Sequence, residues 1–181
     1  TQDSSSAASD VYKRQDFSWK DLQAKNNNEL VAIFGNFVNR ILVLCHKYFG
    51  GTIPEISEAA KQAVTEKATE INETLANFPA KYDACIHAYE FRNALTELMN
   101  VARAGNKFLT DLEPWKLVKT DKEQTAAVLS KGLEVIAFLA VYAVPFLPFT
   151  TPKLQSFLQL SAADIQAILQ GNFSIKAGHS V

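Results

Sequence analysis

An all-α helical bundle is the fold class this sequence predicts, and three observations carry the prediction. Apolar residues recur at intervals of three and four along most of the chain, the period of a helix with one buried face. Only seven glycines and six prolines interrupt 181 residues, which favours long elements over the frequent turns of a sandwich or barrel. No convincing strand ladder, internal repeat or Gly-rich phosphate loop is found. With 48% hydrophobic and 20% charged residues, the chain can bury one sizeable core and is too short for two.

Residues 1–15 have no apolar period and give way abruptly to Asp16-Phe17. They are expected to be a non-native or disordered leader: the string from Ser5 to Gln15 resembles a translated cloning adapter, and a natural flexible linker predicts the same lack of packing. The bundle is assigned to residues 16–170, and 171–181 to a tail or the start of a linker. Ser18 can cap a short helix through Lys25, and Asn26-Asn27-Asn28 supplies the start of a long one. That helix carries Leu30, Ile33, Phe34, Phe37, Ile41 and Cys45 on one face, and Gly50-Gly51 end it. Gly35 is expected to let another helix approach closely. Pro54 and Ser57 open an amphipathic segment from about Glu58 to Ala76, expected to be the most solvated helix.

Pro79 is expected to start the next helix, whose Tyr82, Ile86, Tyr89, Phe91, Leu95, Leu98 and Met99 form a broad apolar face, with Gly105-Asn106 breaking or bending it. Proline then forces an irregular junction at Glu113-Pro114-Trp115-Lys116. Thr120 or Asp121 can cap a helix to Tyr142, and shorter helices are expected near Thr151 to Leu160 and Ala162 to Leu169. The most apolar stretch, Val135 to Phe149, holds Pro145 and Pro148 and falls short of the roughly 20 residues that a bilayer span needs. It reads as a buried helix followed by an extended corner, and no membrane partner is expected.

The formal charge is −1, from 18 Lys+Arg against 19 Asp+Glu, so no overall field draws the chain to nucleic acid and any RNA contact must be local. Cys45 and Cys85 sit far apart inside apolar helical patterns and read as reduced core residues of a cytoplasmic protein. His46, His87 and His179 lie apart, none at ligand spacing from a cysteine or a second histidine, so no catalytic residue and no metal ligand is assigned. His46 is expected on a helix surface or in a groove, and His87 partly buried. Glu66, Glu70 and Glu73 lie at helical spacing beside Lys67, as on a solvated helix face.

Two local features stand out. In Glu113-Pro114-Trp115-Lys116-Leu117-Val118-Lys119 a tryptophan follows a proline at a helix junction, flanked by Lys116 and Lys119. A π-face beside cations suits an unstacked RNA base and its phosphate; a core tryptophan with solvated lysines is the structural alternative. In Gly35-Asn36-Phe37-Val38-Asn39-Arg40, Asn36 and Arg40 stand one helical turn apart, as do Asn39 and Val43, with Val43 and Lys47 on a neighbouring stripe. Asn39 or Arg40 can cross-link the bundle.

A resemblance joins these features. Asp16-Phe17-Ser18-Trp19, Asn28-Glu29-Leu30, Gly35-Asn36-Phe37-Val38-Asn39-Arg40, Tyr89-Glu90-Phe91-Arg92-Asn93-Ala94-Leu95, Leu98-Met99-Asn100, Gly105-Asn106-Lys107-Phe108, Glu113-Pro114-Trp115-Lys116 and Pro145-Phe146-Leu147-Pro148-Phe149-Thr150 follow one another in this order. In that order they closely resemble the C-terminal helical region of bacterial methionyl-tRNA synthetases, from about Asp16 to Leu160. The resemblance implies a bundle of the class I aminoacyl-tRNA synthetase anticodon-binding type that recognises the CAU anticodon of methionine tRNA, with Trp115 stacking on an anticodon base. The family's helix bearing an Asn and an Arg one turn apart aligns with Val43 and Lys47. Val43 cannot make amide contacts, so Asn39, His46, backbone or water must replace them, and Lys47 keeps a charge but loses the bidentate fork. Arg40, Lys116 and Lys119 complete the candidate anticodon-binding set.

In that family an N-terminal domain with His-Ile-Gly-His-like and Lys-Met-Ser-Lys-Ser-like motifs attaches methionine to tRNA with ATP. Neither motif occurs here, so the chain is expected to be a non-catalytic piece of a methionine–tRNA ligase, with the catalytic domain of the parent chain as its partner. It needs no cofactor of its own; the resemblance implies ATP with magnesium for the parent enzyme and leaves room there for a structural zinc. Some members carry a further C-terminal tRNA-binding module that makes them dimers, and Lys176-Ala177-Gly178-His179 looks like the connection towards it; without that module the chain is expected to be a monomer. Two other readings stay open: the equivalent domain of a valyl, isoleucyl or leucyl enzyme, and a helical protein-docking module that binds no RNA.

Overall fold

The structure, a computed structural model, describes residues 18–181; the expected leader, 1–15, lies outside them. Helix α1 (Trp19–Lys25) runs straight into a π-helical segment, Asn26–Gly35, and that into α2 (Asn36–Phe49). The asparagine run therefore starts no new helix; it lies in a stretch of altered winding within a continuous one. Gly50 closes α2 in the left-handed conformation, φ 63°, with Gly50 N–H donating to His46 O and Gly51 N–H to Cys45 O, as the C-terminal glycine motif requires.

Helix α3 (Glu58–Lys67) begins at Ser57, whose hydroxyl accepts from Ala60 N–H. It buries only Val64. A one-residue interruption at Ala68 separates it from α4 (Thr69–His87). Pro79 lies inside α4 and does not start it. A proline in a helix interior costs about 3 kcal/mol, but Ile71, Phe78 and Tyr82 are buried on one face across it, and each large apolar side chain recovers roughly 1.5–3 kcal/mol on burial. The break falls instead at Ala88–Glu90, where Tyr89 takes φ 59° and Glu90 N–H reaches back to Cys85 O at 2.8 Å. His87, expected to be partly buried, ends α4 exposed, and Tyr89, Phe91 and Leu95 face outwards at this corner instead of joining the core.

Helix α5 (Phe91–Leu112) passes through Gly105 without a break. That glycine makes room for a neighbour: a Cβ there would stand 2.7 Å from Phe37 Cζ. Gly132 similarly seats Ile41, whose Cδ1 would lie 2.3 Å from an added Cβ. The close helix approaches expected at Gly35 occur at these two glycines, since a Cβ on Gly35 would meet only the Leu30 carbonyl at 3.4 Å.

After a single turn, α6 (Pro114–Leu117), comes α7 (Lys122–Tyr142), capped by the Asp121 carboxylate on Gln124 N–H at 2.7 Å. Helix α7 is buried almost all round and packs against α2, α3, α5, α6, α8 (Thr151–Phe157) and α9 (Ala162–Leu169). An apolar sequence on every side is the signature of such a central helix. Phe78 and Tyr82 of α4 meet Phe138 and Tyr142 of α7 edge to face, Phe138 and Tyr142 lie obliquely to each other, and Tyr82 OH donates to Tyr142 O at 3.0 Å. Beyond Tyr142 the Pro145 and Pro148 corner is a series of hydrogen-bonded turns and not extended backbone.

The last residues return to the bundle. Ile175 N–H donates to Glu134, Gly178 N–H to Ile53 O, Ile53 N–H to His179 O and Val181 N–H to Gly51 O. Thr52 and Ser180 form one antiparallel bridge, and no strand occurs among the described residues. Two helices, Asn27–Phe49 and Lys122–Tyr142, have the length and apolarity of a membrane span. The burial of α7 within the bundle accounts for its composition; the Asn27–Phe49 run keeps most of its residues exposed or half-buried.

Candidate RNA-binding face

Helix α2 has two sides of opposite character. Phe37, Ile41 and Cys45 point inwards and are fully buried. Asn36, Asn39, Val43, His46 and Lys47 are exposed on the other side, with Arg40 half-buried at its edge. The 14 residues of α2 include no carboxylate, and His46 and Lys47 in the last turn suit the negative end of the helix dipole. Thus the inward period that packs the core also sets the outward stripe that the sequence singled out.

The junction that meets this helix at Arg40 is built from its covalent geometry. Glu113 ends α5 in the left-handed region, φ 42° and ψ 57°, and Pro114 occupies the first position of α6, where no N–H is missed. Glu113 O accepts from Lys116 N–H at 2.8 Å and Leu117 N–H at 3.0 Å, and its carboxylate pairs with the Lys116 ammonium at 2.7 Å. Trp115, held by this turn, is half-buried against the core. The Arg40 guanidinium lies 5.3 Å from the centre of its ring, within cation–π range.

Of the eight residues expected at the site, Arg40 and Trp115 are brought into contact. Asn39, Val43, His46 and Lys47 share the exposed stripe of α2, with Val43 52% exposed and the Lys47 ammonium 5.5 Å from the Tyr48 ring. His46 stands over Gly51, where an added Cβ would be 2.8 Å from its ring. Lys116 is turned to Glu113, and Lys119 is exposed one turn on. Lys122, which sequence reasoning passed over as the first residue of α7, belongs beside them: its ammonium lies 5.6 Å from the Phe49 ring at the end of α2. The signal was the regular spacing of three residues from Lys116 to Lys119 and from Lys119 to Lys122.

No group of three or more His, Cys, Asp or Glu side chains among the described residues is placed to hold a metal ion, and the glycines are scattered instead of forming a phosphate cradle. Cys45 and Cys85 are free thiols, and burial pushes the Cys45 thiol up to about 12, the behaviour of an inert core residue.

The chain shares its fold with the crystal structure of Mycobacterium tuberculosis methionyl-tRNA synthetase bound by methionyl-adenylate, at a TM-score of 0.72 and 20% identity, over 91% of this chain and 32% of that one. The likeness is one of fold, an all-α helical bundle. The family model described as the anticodon binding domain of methionyl tRNA ligase matches residues 56–181, and the chain belongs to that family. The methionine–tRNA ligase of Flavobacterium psychrophilum is 45% identical over 93% of this chain and 24% of its own length, and that of Flavobacterium johnsoniae 50% identical over 82% and 20%. The chain therefore spans about a fifth to a quarter of the length of the curated relatives it matches.

Proposed function

We propose that the outward face of α2 and the Trp115 junction bind the CAU anticodon loop of methionine tRNA, and that the chain serves in this way a longer enzyme that attaches methionine to that tRNA with ATP and magnesium. The contact of Arg40 with Trp115 carries this reading, because it unites a π-face, a guanidinium and a carboxylate-free helix at one place. Trp115 stacks on an exposed base; Arg40, Lys47, Lys119 and Lys122 meet phosphates; Asn39 and His46 supply the hydrogen bonds that Val43 cannot. Membership of the methionyl family favours this reading over a valyl, isoleucyl or leucyl domain. Activation of methionine, with any structural zinc, belongs to the rest of the longer enzyme, which acts in the cytoplasm; this chain by itself is a monomer.

Filter binding with separate tRNA species tests the proposal. Methionine tRNA should be retained in preference to valine and isoleucine tRNAs, and the preference should follow the anticodon when anticodons are exchanged. Equal retention of all species, or of none, would sink it.

A further inference from the structure

The seam between the π-helical segment and α2 is bound by side-chain amides in an unusual way. Asn36, the first residue of α2, donates its Nδ2 to Ala32 O at 3.0 Å. Asn106, in the middle of α5, donates its Nδ2 to the next carbonyl, Ile33 O, at 2.9 Å and also to Ala102 O in its own helix at 3.0 Å. Two consecutive carbonyls in the last turn of the π segment thus receive side-chain donors, one of them from a different helix 73 residues away. Both hydrogens of the Asn106 amide are used, in a half-buried place where an unpaired amide would cost more than the bond returns.

The winding of this segment decides where the following side chains point. A π turn holds one residue more than an α turn, and at 3.6 residues per turn each extra residue rotates everything downstream by about 100°. Reversion to α winding would turn Asn39, Val43 and Lys47 off the exposed stripe, carry Arg40 away from the Trp115 ring and drag Phe37 and Ile41 out of their seats on Gly105 and Gly132. Such a segment is frequent at functional sites because it re-aims the helix that follows. Asn106 neighbours Gly105, so the amide that ties Ile33 O and the gap that receives Phe37 are adjacent on α5.

We propose that Asn106 is a positioning residue for RNA recognition: by tying Ile33 O at the π-to-α seam it sets the rotation of α2, and so decides which side chains stand beside Trp115. This rests on the function proposed above, and the test separates the two.

Asn106→Ser is the informative variant. A serine hydroxyl can still bond the carbonyl one turn back, Ala102 O, but is too short to keep the bond across to Ile33. Thr96→Ala is the control, since it removes a side-chain bond of α5, to Arg92 O, that involves no other helix. Backbone amide NMR shifts and the affinity for an RNA anticodon stem-loop of methionine tRNA are measured on the whole chain. In Asn106→Ser the helical circular dichroism should persist, the amide shifts from Phe34 to Lys47 should move, and stem-loop binding should weaken by about tenfold, as expected for one lost hydrogen bond transmitted to the site. Thr96→Ala should change neither. Unmoved α2 shifts in Asn106→Ser overturn the positioning role, and so do moved shifts with unchanged affinity where Trp115→Ala abolishes binding. If the unmodified chain binds no stem-loop, the proposed function fails and the RNA role of Asn106 with it, while the shifts still decide whether Asn106 sets the rotation of α2.

Discussion

The guanidinium of Arg40 lies over the ring of Trp115 at 5.3 Å and so couples the exposed edge of α2 to the proline junction. In the free protein the cation covers part of the π-face that an RNA base would use. On the function proposed above, a base that stacks on this face displaces the guanidinium.

Trp115→Ala should therefore weaken anticodon stem-loop binding by roughly 1–3 kcal/mol, the worth of one base–aromatic stack. Arg40→Ala should weaken it less and reduce the salt dependence, because each phosphate neutralised contributes roughly 0.7–0.9 to the logarithmic slope. Filter-binding titrations over a series of salt concentrations measure both. A steeper slope in Arg40→Ala would contradict the assignment of Arg40 to phosphate.

Gly132→Ala should lower stability by up to about 2 kcal/mol, as overpacking of roughly 1–3 kcal/mol against Ile41 is offset by about 1 kcal/mol from the better helix propensity of alanine. Adding Ile41→Val, which removes the atom that clashes, should recover most of the loss. Urea unfolding of the two variants decides the matter; additive losses would mean that the contact is not the cause.

Glu134 makes stability depend on pH. Burial raises its carboxyl above the ordinary range, against the opposing pull of Lys131 and the Ile175 N–H. The folded chain then holds this proton more tightly than the unfolded one, so stability falls as pH rises from the ordinary glutamate value, about 4.3, through the raised folded value. Glu134→Gln keeps an acceptor for Ile175 N–H and should melt at or above the unmodified chain at pH 7, with the advantage gone by about pH 4. A lower melting temperature at pH 7 would show that the pair with Lys131 outweighs burial.

Alkylation should tell the two thiols apart. With its thiol pushed up to about 12 and no solvent exposure, Cys45 should resist iodoacetamide until the chain is unfolded, whereas half-buried Cys85 reacts first. Mass spectrometry of peptides after a short treatment reads the result directly.

Helix ends that rest on local chemistry were legible in the sequence. Gly50-Gly51, Ser57, Glu113-Pro114 and Asp121 all act where their residue types demand, whereas the capping box of Ser161 with Asp164 went unread. Pro79 and Gly105 misled because their ordinary meaning as breakers was overridden by long-range packing, of Phe78 and Tyr82 in one case and Phe37 in the other. The left-handed turn at Tyr89 carries no glycine to announce it. At the candidate site, periodicity placed Asn39, Val43 and Lys47 on one stripe, but the approach of Arg40 to Trp115 joins residues 75 positions apart and is a product of tertiary packing alone, as is the bond from Asn106 to Ile33.

The hydrogen bonds that tie Gly51 and Ile53 to residues 178–181 carry a consequence for biosynthesis. Thr52 meets its bridge partner 128 residues later in the chain. On a ribosome that makes about 5–20 residues per second, the loop below α2 waits many seconds for that partner, while the hairpin of α4 and α5 can already close. The nascent domain is thus held unlatched at the end of α2 until synthesis has passed Val181, and a stall shortly before that point would leave a bundle that is largely collapsed but open at this one corner.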